Sequence, residues 1–102
     1  MAWPLAEETM FAGILFGRTG PGAVEDQETL ETYGFSVIEV ISKAGQTVFH
    51  VFGTKDVLKA FLRQATTDWR ITMPDYFWPI PKGTELSPST VARGAGNTAM
   101  LR

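Results

Sequence analysis

His50 is the single histidine of the chain, and no cysteine is present, so it is the one side chain whose ordinary titration suits general-base work near neutral pH. It stands between Phe49 and Val51 with no carboxylate beside it in sequence, the setting of a histidine packed within a strand. A metal site would have to be built from carboxylates, and no Asp-x-Asp or EF-hand spacing occurs, so neither a metal nor a cofactor is expected. Glu25, Asp26, Glu28 and Glu31 cluster, but as catalytic acids they would need burial to raise one pKa. Helical periodicity spreads them over a solvated face instead. Gly17 and Thr19-Gly20-Pro21-Gly22 outline a glycine-rich loop without the GK[ST] ending of a phosphate loop, and no GxGxxG opens a helix, so the stretch reads as a turn. With no catalytic constellation, the chain is expected not to be an enzyme and to carry no catalytic residues.

Chemistry of recognition is better represented. Tyr76-Phe77-Trp78-Pro79-Ile80-Pro81 joins three aromatics to prolines that limit the entropy lost on fixing the segment. Three consecutive aromatics in an extended chain cannot all point inward, so Tyr76, Phe77, Trp78 and Ile80 are expected to bind a partner, with Arg93, Met100 and Leu101 of the tail. Lys55, Lys59 and Arg63 recur every four residues on one helix flank, the pattern of a wet face whose stems cover apolar surface. Together with Lys43 and Arg70 they are also the charge a nucleic acid would need, and Phe49 is the base-stacking candidate.

The elements that must position these residues follow from composition and pattern. A chain of 102 residues that is 44% apolar and 20% charged supports one core and excludes general disorder. Absence of cysteine excludes a disulfide framework. A formal charge of -2 argues against general affinity for phosphate backbones. No apolar run reaches the ~20 residues of a membrane span, and the first residues lack the basic start and apolar stretch of a signal peptide, so a cytoplasmic protein is expected.

Along the chain, 10–18 is apolar at successive positions, as in a strand covered on both faces. A helix is expected over 23–33, with acids near its positive end and Gly34 as its stop. Strands over 35–42 and 47–52 flank a turn at 43–46. A helix over 55–66 is capped by Gly53-Thr54 and gathers Val57, Leu58, Phe61, Leu62 and Ala65 on one flank. A half-exposed strand over 69–73 ends at Pro74, and residues 75–82 are too rich in proline for a helix or a central strand. The expected fold is α+β, a ferredoxin-like βαββαβ two-layer sandwich over residues 1–82 followed by an extended Gly/Ala/Ser/Thr-rich tail over 83–102. Its helices would cover one sheet face and leave the other for a partner or ligand.

Within this arrangement, Ile14 to Met73 resembles an RNA-recognition motif. Ile14-Leu15-Phe16-Gly17 sits where that family's first-strand signature lies, Glu25-Asp26 through Leu30 to Tyr33-Gly34 resembles its first helix and the glycine after it, and Phe49-His50-Val51-Phe52 falls in its third strand. The resemblance implies base stacking by aromatics on the first and third strands and a basic residue opening the third-strand signature. Leu15, Thr47 and Gly45 depart from that pattern. Three functions are therefore expected, in order. The first is a non-enzymatic protein-binding module, an adaptor, inhibitor or assembly subunit, with another chain or a second copy as partner. The next is single-stranded nucleic-acid binding, and the third a small-ligand sensor or enzyme using His50 and Tyr33.

Overall fold

The computed structural model describes residues 8–43, 45–68 and 77–91. The chain is α+β, with a four-stranded antiparallel sheet and helices. Strand β1 (Met10–Gly17) pairs with a neighbour on each side, as its unbroken apolar run requires. Helix α1 (Pro21–Tyr33) starts two residues before its expected position because Pro21 supplies a fixed φ at its first turn. The acids therefore fall beyond the first turn, which contains none, and the expected dipole role is not theirs. Gly34 ends the helix at φ 111°, donating to Glu31 O, while the Phe35 N–H reaches Leu30 O.

Strands β2 (Ser36–Lys43) and β3 (Gln46–Gly53) form the expected hairpin, closed by the Lys43–Gln46 pair with Gly45 at φ 75°. Helix α2 (Lys55–Asp68) begins where expected, the Val57 N–H donating to Thr54 Oγ1 at 3.2 Å. Strand β4 (Phe77–Ile80) completes the sheet in the order β2-β3-β1-β4.

Period-two alternation divides the strand residues between two apolar clusters. Leu15, Phe49, Val51 and Phe77 meet Leu30 of α1 and Leu58 and Phe61 of α2 on one face. Among the described residues Phe61 is a hub that meets Tyr33 and Phe35 edge-on at 5.3 Å each and Phe77 at 6.2 Å. Phe35 and Phe77 stack at 5.8 Å. The opposite face gathers Ala12, Phe52 and Ile80 under Leu86 and Val91.

Two expectations are corrected here. The strand beside β1 is Phe77–Ile80, while 69–73 lies outside the described residues. Pro79 is tolerated because β4 is an edge, where a missing donor leaves no ladder bond broken on the outer side. Second, 83–91 is not an extended tail. Ser87 caps a helical turn over 88–91: its Oγ accepts from the Thr90 N–H at 3.3 Å, Pro88 follows the cap, and the Thr90 hydroxyl donates to Glu85 O at 2.7 Å. That turn seats Val91, fully buried, on the sheet beside Leu86. Leu86→Ala is accordingly expected to lower stability by ~2 kcal/mol, read as a shift in the urea midpoint with unchanged slope. An unshifted midpoint would mean that the segment does not contribute to the folded unit.

Candidate interaction face

Among the described residues, 85–91 covers one end of the sheet face opposite the helices. Register fixes which side chains share it, since residues directly opposite in an antiparallel pair lie on the same face. Trp78, Ala12, Phe52 and Ser36 make one row across the four strands, and Leu86 and Val91 lie over its centre. Ile14, His50 and Glu39 make the next. Phe16, Val48 and Ile41 make the third, toward the hairpin end. The cluster built under Leu86 and Val91 reaches Ile14 and Ile38 but does not include the third row. Phe16 is 36% exposed, and Val48 and Ile41 are half-buried.

His50 is buried, and its Nδ1 lies 3.5 Å from Glu39 Oε2, within ion-pair distance but without a hydrogen bond. A bulge between Val37 and Glu39 produces this approach, because it resets β2 so that Glu39 falls opposite His50. Trp78 Nε1 and Thr47 Oγ1 are also buried without a hydrogen-bond partner among the described residues. No group of three or more His, Asp or Glu among the described residues is placed to hold a metal ion.

At the hairpin end of the sheet, Arg18 locks β1 to α1. Its backbone N–H donates to Asp26 Oδ2 at 2.7 Å, and its guanidinium reaches Asp26 Oδ1 at 2.8 Å and Glu25 at 3.2 Å. Hydrogen bonding to Asp26, then the charge of Asp26, holds the Arg18 pKa above its ordinary value, with Glu25 contributing less. The buried Asp26 carboxylate thus serves a backbone donor as well as a side chain. Asp26→Ala removes both and is expected to cost ~1.5–3 kcal/mol, the worth of hydrogen bonds to a charged acceptor. Arg18→Ala keeps the backbone bond and should cost clearly less. Equal losses in paired urea titrations would contradict this division.

The expected site residues are dispersed by this geometry. Phe77 turns toward the helices into the core and Ile80 is buried under the 85–91 segment, so neither is presented to a partner. Trp78 is half-buried on the opposite face. Tyr76, Arg93, Met100, Leu101 and Arg70 lie outside the described residues. Phe49 is fully buried beneath the helices, so it has no face to offer a base. Lys55, Lys59 and Arg63 are exposed on α2, across the sheet from the Phe16 row, and Lys43 closes β2. Tyr33 edges onto Phe61 in the core, on the other face from His50, so the two do not share a pocket.

Sequence reasoning missed Phe16, Val48 and Ile41. Their signal was the apolar excess of 10–18 and of both hairpin strands, beyond what one core face can absorb. Among the described residues no helix is long and apolar enough to cross a membrane. No family model, curated protein or solved structure matches the chain.

Proposed function

We propose that the chain is a non-enzymatic protein-binding module, acting as an adaptor, inhibitor or assembly subunit, and that it engages its partner through the Phe16–Val48–Ile41 row. The observation that carries this reading is the row itself: three apolar side chains aligned across adjacent strands, lying among the described residues beyond the cluster built under Leu86 and Val91, with Val48 and Ile41 only half-buried. An apolar row of this kind is favourable to bury and has a rigid sheet behind it, so ordering costs on binding are small. The strand order, with every adjacent pair antiparallel, supports a ferredoxin-like reading of the architecture. In that reading the second face is the natural docking surface, here narrowed to its hairpin end.

Val48→Glu tests the proposal. Val48 is only half-buried, so glutamate can reach water in the free chain but would be desolvated in a complex. Expected is loss of a partner captured from native extract, with the circular dichroism spectrum and urea midpoint near those of the parent. Retention of the same partner at the same yield would overturn the proposal.

A further inference from the structure

We infer that the partner at this face is a second copy of the chain, joined edge to edge through β2; this rests on the reading of the face as an interface. Strand β2 is an end strand of the sheet, so one row of its backbone N–H and C=O groups pairs with no strand among the described residues. Such groups require water or another strand. The bulge between Val37 and Glu39 interrupts the first part of β2, which leaves Glu39 to Lys43 as its regular run, each residue in step with β3.

A two-fold antiparallel ladder built on that run has Ile41 at its centre, because only this register uses the whole stretch. It sets Ile41 against Ile41, Val40 against Ser42, and Glu39 against Lys43 twice over. The strand is thus self-complementary in charge, with an acidic position facing a basic one at both ends of the ladder. The pairing also joins the two apolar rows, since Phe16–Val48–Ile41 of one copy continues into Ile41–Val48–Phe16 of the other. Val40, 43% exposed on the helix side, is brought beside the second copy as well.

Sedimentation equilibrium of the purified full chain, from micromolar to sub-millimolar concentration, tests the inference. The parent should show a monomer–dimer equilibrium. Glu39→Lys and Lys43→Glu should each weaken it about tenfold by placing like charges opposite one another twice, and the double exchange should restore it. If Glu39→Lys perturbs folding through His50, Lys43→Glu alone carries the test, since it sets its new carboxylate against Glu39 twice without touching the His50 contact. A parent that is monomeric at every concentration, or a dimer indifferent to either reversal, overturns the edge pairing. Should a monomeric parent still capture a different protein in a Val48-dependent way, the interface reading stands and the second copy is ruled out.

Discussion

Phe61→Ala is expected to remove ~3–5 kcal/mol of stability, a large part of the ~5–15 kcal/mol that holds a domain of this length. Phe61 is fully buried, and among the described residues its ring meets three others, from the end of α1, the residue before β2 and β4. Truncation removes its own burial and leaves those rings facing a void that the sheet, fixed by its ladder, cannot close. Equilibrium urea unfolding gives the number directly. Val24→Ala is the matched control: Val24 is 60% exposed on α1 and should cost less than about 0.5 kcal/mol. A Phe61 loss as small as that of Val24 would mean that the aromatic hub does not exist as described.

The second large effect comes from adding a single methyl. A Cβ at Gly13 would lie 2.3 Å from Phe77 Cε1 and 2.5 Å from Cδ1, well inside contact distance. The Phe77 ring cannot swing clear, because it is buried and stacked on Phe35. Gly13→Ala must therefore displace β4, a strand of only four residues, and is expected to cost ~1–3 kcal/mol. The diagnostic is a double-mutant cycle. In a Phe77→Ala background the methyl has room, so most of the Gly13→Ala cost should disappear and the cycle should be strongly non-additive. Additive losses would place the Phe77 ring somewhere other than over Gly13.

Much of this architecture was legible because local and long-range demands agree. The flank Val57, Leu58, Phe61, Leu62 packs as its spacing required, and Thr54 caps the helix it precedes. The β2–β3 hairpin likewise formed around its glycine. Where reading failed, local composition was outvoted by a contact distant in sequence. Pro79 and Pro81 suggested irregular chain, yet Phe77 and Trp78 alternate as a strand does, and pairing with Gly13 and Ala12 decided the matter. The stretch 85–91 looked too small and polar to bury itself, but it has only to cover Ala12 and Phe52, which the sheet supplies. Its Ser87-Pro88 start was a readable helix signal.

The candidate site was less legible, for a specific reason. Aromatic content pointed to Phe77 and Phe49, both of which the first cluster consumes. Which face a strand residue takes depends on register, and the shift at Val37/Glu39 cannot be read from one chain. That shift is also what sets Glu39 beside His50 and Ile41 beside Val48.

The measurement that bears most directly on the central claim is the mass, by size exclusion with light scattering, of the parent and of Val48→Glu, each alone and after capture from native extract. The parent should elute above monomer mass in at least one of the two conditions, and a folded Val48→Glu variant should be monomeric in both. A parent that is monomeric throughout, or a variant that keeps the complex, would contradict that claim.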